Sequence, residues 1–178
     1  LAPQTTGRFR AVFGEKVAVL HSGLSEGERF DIWKQIRAGH YQVAVGPRSA
    51  VFAPFDNLGL IVIDEEHEHT YKQDTTPRYH AREVAIERMR QSDGTVLLGS
   101  ATPSLESFQR ARSNLYTLHE LPERVKGLPL PKVSIADLRH GYTRDGSHLV
   151  GNKLLGEIVF ATEAGGQVLL LLNRRGFH

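Results

Sequence analysis

The sequence predicts an α/β fold, a parallel sheet flanked by helices, and three observations carry that expectation. Short aliphatic runs alternate with amphipathic stretches of helical spacing between residues 17 and 111. One run, Leu60-Ile61-Val62-Ile63, has no polar alternation, the pattern of a strand buried on both faces in a parallel sheet. The segments after these runs concentrate acids, hydroxyls, glycine and arginine, as expected where the carboxyl ends of parallel strands form a ligand crevice.

With 178 residues, 40% of them hydrophobic, the chain can bury a proper core in one domain or one and a fraction. It has no cysteine, which excludes a disulfide framework, a thiolate nucleophile and a cysteine zinc site, and suits a reducing compartment. No stretch approaches the roughly eighteen apolar residues of a membrane span, and the first residues lack a signal-peptide pattern. A cytoplasmic protein with no membrane partner is expected. Net charge is +2, yet Asp64, Glu65, Glu66 and Glu68 fall together; the rest of the chain carries +6, compatible with a polyanionic partner.

Residues 4–14 read as a helix, with Phe9, Val12 and Phe13 at helical spacing and Gly14 closing it. Residues 17–20 form a short strand. Ser25-Glu26-Gly27-Glu28 is a capping box, opening a helix to about residue 38 with Phe30, Trp33 and Ile36 on its core face and Gly39 at its end. Residues 43–45 form another strand, which runs into Gly46-Pro47-Arg48-Ser49. The forked guanidinium of Arg48 beside the Ser49 hydroxyl suits a phosphate, and equally an ordinary solvated turn.

Asp64-Glu65-Glu66-His67 follows the aliphatic strand at residues 60–63. A carboxylate on a rigid strand end suits Mg²⁺, which keeps waters and substrate phosphates in its shell, and a second acid beside it can orient a water. Residues 69–80 are a polar segment in which Tyr71, Lys72, Arg78 and Tyr79 can stack on unpaired bases and neutralise phosphates; a solvated loop is the plainer reading. A helix over about residues 79–91 is expected to bury Ala81, Val84, Ala85 and Met89 and to expose Arg82, Glu83, Glu87 and Arg88. Residues 95–98 read as a buried strand ending in Gly99-Ser100-Ala101-Thr102-Pro103-Ser104. There Thr102 is the expected N-cap of a helix carrying Leu105, Phe108 and Ala111, and Ser100 and Thr102 stand within reach of the acidic cluster. Residues 116–121 and 133–138 are expected strands on either side of a proline-rich linker. Residues 152–164 are expected as a helix with Leu154, Leu155, Ile158 and Val159 inward, and residues 167–172 as a strand. The pair Arg174-Arg175 just beyond it suggests phosphate contacts.

An aliphatic strand running into Asp64-Glu65-Glu66-His67 resembles the Walker B box of helicases and translocases. With His21-Ser22-Gly23, Gly46-Pro47-Arg48-Ser49-Ala50, Pro77-Arg78-Tyr79-His80-Ala81-Arg82, Gly99-Ser100-Ala101-Thr102-Pro103-Ser104 and Asn173-Arg174-Arg175-Gly176-Phe177, nearly the whole chain resembles the PriA-type replication-restart DNA helicases of superfamily 2. The resemblance implies a RecA-like, P-loop NTPase-type fold: residues 1–121 as a first lobe without its first strand and phosphate loop, 122–151 as a connecting segment, and 152–178 as the start of a second lobe. It implies ATP and Mg²⁺ as cofactors, with Asp64 on the metal, Glu65 polarising the hydrolytic water, and Arg174 and Arg175 toward nucleotide. His67 becomes the link to the next motif, and Ser100 and Thr102 the residues relaying nucleotide state. Arg48, Ser49 and the aromatic-rich segment that holds Tyr71, Lys72, Arg78 and Tyr79 become contacts to single-stranded and forked DNA. Primosome and single-strand-binding proteins are implied as partners, and zinc in the parent protein on cysteines this chain lacks.

No stretch fits Gly-x-x-x-x-Gly-Lys-Ser/Thr, so the chain reads as an internal fragment, inactive alone. Two rival readings stand beside it. One is a DNA- or primosome-binding module that hydrolyses nothing; the other is a metal-dependent hydrolase built on Asp64, Glu65, His67 and His69.

Overall fold

The computed structural model describes residues 3–123, 127, 129–137 and 151–171. The chain divides into two compact units, Leu1–His119 and Glu120–His178. In the first, helix α1 (Pro3–Phe13) ends where Gly14 takes φ +60°. A 3₁₀ turn leads into β1 (Val17–Val19). Helix α2 (Glu26–Arg37) then crosses to β2 (Val43–Val45), which pairs parallel with β1 from Val17↔Val43 to Val19↔Val45. The capping box forms as expected: Glu28 N donates to Ser25 Oγ at 3.3 Å and Ser25 N donates to the Glu28 carboxylate at 2.8 Å. Ala18, Ile36 and Ala53 are the core of this part.

Strand β3 (Leu60–Ile63) pairs parallel with β6 (Thr95–Leu98), Leu60 opposite Thr95 and Ile63 opposite Leu98. Between them, β4 (Lys72–Gln73) and β5 (Tyr79–His80) form a short antiparallel pair, and α3 (Ala81–Ser92) packs against β3 and β6. Helix α4 (Leu105–Arg112) follows β6. Val51, Ile63, Ala81 and Ala85 form the second core, with Ile61, Val96 and Leu98 packed against it.

Several expectations are corrected. The strand expected to be buried on both faces is buried on one: Ile61 and Ile63 point into the core, while Leu60 and Val62 stand 53% and 56% exposed beside Leu97 at 50%. Side chains alternate across a strand, and among the described residues only the face toward α3 is covered. Of the α2 face, Ile36 is buried and Phe30 is exposed, while Trp33 is half-buried on a groove. Residues 79–80 are strand rather than helix, because Gln73 and Lys72 supply pairing partners. The N-cap of α4 is Ser104, not Thr102; Ser104 Oγ accepts from Ser107 N at 3.3 Å, and Leu105 is then exposed. Residues 116–121, 133–137 and 167–171 pair with no other strand among the described residues, and apolar spacing alone supplies no ladder.

In the second unit, α5 (Asn152–Glu163) forms where expected, but Leu154, Leu155 and Val159 are exposed rather than inward. Arg174 and Arg175, and residue 138 and residue 172 of the expected strands, lie outside the described residues.

Gly46 ends β2 where the chain passes close to Leu20. A Cβ there would meet Leu20 Cβ at 2.8 Å and Ala50 Cβ at 2.9 Å. Gly46→Ala is therefore expected to destabilise the first unit by about 1–3 kcal/mol, read as a lower denaturant midpoint at unchanged slope; an unchanged midpoint would contradict this close packing.

Candidate functional site

The acidic turn is built by two strand ends. Beyond β3 and β6 the parallel ladder continues, with Gly99 N donating to Ile63 O at 2.9 Å and Glu66 N donating to Gly99 O at 3.0 Å. That pins residues 63–66 to the segment after β6. Glu65 takes φ +46°, a left-handed conformation that costs a non-glycine residue about 1–3 kcal/mol and persists where the surroundings enforce it. Asp64 and Glu65 are both exposed; Asp64 Oδ1 accepts from Glu65 N at 3.1 Å. His67 Nδ1 and Ser100 Oγ are 2.7 Å apart, and Nδ1 lies 3.6 Å from the Glu65 carboxylate. Ser100 Oγ also accepts from Thr102 N at 3.0 Å. Asp64, Glu65, His67 and Ser100 are thus brought together, while the link from Thr102 to the turn runs through Ser100.

The third acid of the run is different. Glu66 is 2% exposed; its carboxylate accepts from Ser104 N at 2.6 Å, Arg82 Nη1 at 2.9 Å, Ser107 Oγ at 3.0 Å and Ser104 Oγ at 3.1 Å. Burial pushes this carboxyl up, but the Ser104 amide, Arg82 and the two hydroxyls together hold it below the usual range. Arg82, expected on the surface, is 7% exposed for the same reason: burial opposes its charge, and hydrogen bonds to Glu66 and Glu83 more than restore it.

A groove of about 630 Å³ lies at the ends of β1 and β2, outside the acidic turn. Arg48, Ser49, Tyr71 and Tyr79, all proposed from the sequence, line it. So do His21 and Ser22, from a segment that carries the family resemblance, Trp33, expected in the core, and Arg29, for which the sequence suggested no role. Arg48 Nη1 donates to the carbonyls of Thr70 (2.9 Å) and Lys72 (2.8 Å), so part of the guanidinium holds the neighbouring segment in place. Tyr71 O–H donates to Asp64 O at 2.6 Å. Burial, then the charges of Asp64, Glu65 and Glu68, raise its pKa and keep the donor protonated. Tyr79 packs edge-on against Phe52. Lys72 and Arg78 are exposed near Asp74 and do not line the groove.

Among the described residues no group of three or more His, Cys, Asp or Glu is placed to hold a metal ion, Asp64, Glu65, His67 and His69 included. No helix among them is long and apolar enough to cross a membrane.

Parallel strands flanked by helices, with an acidic turn at their carboxyl ends, agree with a RecA-like α/β fold. The DEAD/DEAH box helicase profile matches residues 1–111, and the chain belongs to that family. It is 46% identical over 177 residues to the replication restart protein PriA of Bacillus subtilis (strain 168), and 48% identical over 184 residues to that of a Synechocystis species. The PriA of Haemophilus influenzae is 40% identical over 177 residues. Each alignment takes in 99% of this chain and 22–24% of the relative, so the chain spans about a quarter of these proteins.

His80 caps α3, its Nδ1 accepting from Arg82 N at 3.2 Å. Burial, then Arg82 and more weakly Lys72, lower its pKa from 6.5, against the opposing pull of Glu83 and Glu66. A histidine whose folded pKa is depressed stabilises the fold above its unfolded value and loses that contribution as pH falls through the folded one. An NMR titration of His80 is expected to give a midpoint below 6.5, with the fold weakening as pH drops through it; a midpoint above 6.5 would refute this capping role.

Proposed function

We propose that this chain supplies the acidic turn and a DNA-contacting groove to an ATP-dependent DNA helicase acting in replication restart. The observation that carries the reading is the 2.7 Å contact joining His67 in the acidic turn to Ser100 after β6, with Asp64 and Glu65 exposed beside it. The relatives' name, replication restart protein PriA, and the family match support it.

Asp64 fits Mg²⁺: its carboxylate is exposed on a rigid strand end, and Mg²⁺ needs only one or two protein carboxylates. When bound, the ion would neutralise charge on the phosphates of ATP. In this reading Glu65 orients the attacking water, His67 holds the Glu65 side of the turn against Ser100, and Thr102 follows Ser100 through its backbone N–H. Arg48, Ser49, Tyr71 and Tyr79 present the groove to single-stranded or forked DNA, with Lys72 and Arg78 as cations near its rim. Arg174 and Arg175 contact nucleotide phosphate. Primosome and single-strand-binding proteins as partners, zinc in the longer protein and a cytoplasmic location belong to the same proposal.

A second reading is a DNA- or primosome-binding module without turnover, built on the groove that Arg48, Ser49, Tyr71 and Tyr79 line. DNA-stimulated ATP hydrolysis separates the two when the full-length protein is compared with this chain alone. Turnover by the full-length protein alone is expected. In it, Glu65→Gln should lower kcat by about 10²–10⁴-fold while nucleotide binding persists. Unchanged turnover would remove Glu65 from the mechanism, and DNA binding without turnover by either protein would favour the module.

A further inference from the structure

The Glu66 carboxylate touches neither the exposed face of the acidic turn nor the groove, yet it joins the segments that carry both. A carboxylate offers about four lone-pair sites. Four donors converge on that of Glu66: Ser104 N on Oε1, and Ser104 Oγ, Ser107 Oγ and Arg82 Nη1 on Oε2. Ser104 caps α4 four residues after Ser100, and Arg82 stands in the first turn of α3, two residues after β5. Two backbone amides complete the junction, Glu66 N donating to Gly99 O and Arg82 N to the His80 side chain at Nδ1. One buried side chain therefore fixes where Glu65 and His67, its chain neighbours, stand relative to Ser100. It also ties that position to the start of α3, where the groove-lining segment ends.

We propose that Glu66 is a positioning residue for nucleotide turnover: it holds Glu65 and His67 in register with Ser100, and through Arg82 it anchors that register to α3, the fixed end against which the groove-lining segment moves when DNA binds. The inference rests on the helicase reading above and adds to it a residue that contacts neither ATP nor DNA. Three features set it apart from a simple ion pair. Its partners lie on two separate helix starts, α3 and α4; one of them, the Ser104 amide, lies two residues beyond Thr102; and the two residues flanking Glu66 are those proposed to act on water and on Ser100.

The test uses the full-length protein with Mg²⁺-ATP, with and without single-stranded DNA. Glu66→Gln keeps the shape and an acceptor for Ser104 N but turns an amide toward Arg82 and the serine hydroxyls. It is expected to lower DNA-stimulated kcat by about 10–100-fold, with the KM for ATP changed far less, and to reduce the ratio of stimulated to basal rate. Ser107→Ala removes one neutral hydrogen bond, leaves the Glu66–Arg82 pair intact and should reduce the same ratio to a smaller degree. Single-stranded DNA binding by both variants should stay near wild type. If Glu66→Gln lowers basal and stimulated rates equally, or leaves both unchanged, Glu66 is a structural ion pair and the inference falls. If Glu66→Gln does not fold, an unaltered ratio in Ser107→Ala overturns it. A wild-type protein with no DNA-stimulated hydrolysis would instead defeat the helicase reading itself.

Discussion

The fold around the site depends on burying one ion pair. Glu66 and Arg82 are both nearly inaccessible, and isolated charges in such a place cost several kcal/mol each. Here both oxygens of the carboxylate accept hydrogen bonds, four in all, and the guanidinium meets two serine hydroxyls besides its carboxylates. No buried side-chain nitrogen or oxygen among the described residues lacks a partner. Breaking such a pair from one side leaves an uncompensated buried ion, at about 3–5 kcal/mol. The turn that carries Asp64 and Glu65 can therefore hold its left-handed residue because the next residue is anchored so firmly.

That anchorage explains why charge patterning misread this region while apolar patterning largely succeeded. The capping box at Ser25, the strands at residues 17–20 and 60–63, and helix α5 were legible because their signals are local. Arg82 lies among Ala81, Ala85 and Met89 on α3, and a lone cation in an amphipathic helix defaults to the surface. Its burial is decided by partners 16 to 25 residues away, and Ser107 is 41 residues from Glu66. Serines at the start of a helix and a third acid in a run give no local sign that they meet. The same limit applies to Trp33: its spacing placed it on a face with Ile36, but only the assembled sheet ends show that face turning toward a groove.

Aliphatic content likewise marks a strand without saying what covers it. Leu60, Val62 and Leu97 form a continuous apolar stripe, because Leu60 sits opposite Thr95 and Val62 opposite Leu97 in the parallel register. The residues that alternate with them, Ile61, Ile63, Val96 and Leu98, carry the core. Packing on α3 is thus enough to define the strand pair and to aim its carboxyl ends. The acidic turn needs only that aim and the two ladder bonds beyond the strands.

The groove and the acidic turn meet at two places of different stiffness. At one, Tyr71 donates to the backbone carbonyl of Asp64, while Arg48 grips the carbonyls on either side of Tyr71. These are partly exposed hydrogen bonds, each with a net worth of about 0.5–1.5 kcal/mol, within reach of a ligand that competes for Arg48. At the other, Glu66 and Arg82 are buried and charged, beyond direct competition. A polyanion in the groove would loosen the first link long before the second. The segment between them, residues 72–80, would then move against a fixed end at α3, with Tyr71 and the Asp64 backbone as the parts free to answer. A device of this kind needs one contact that yields and one that does not, and the burial of Glu66 supplies the second.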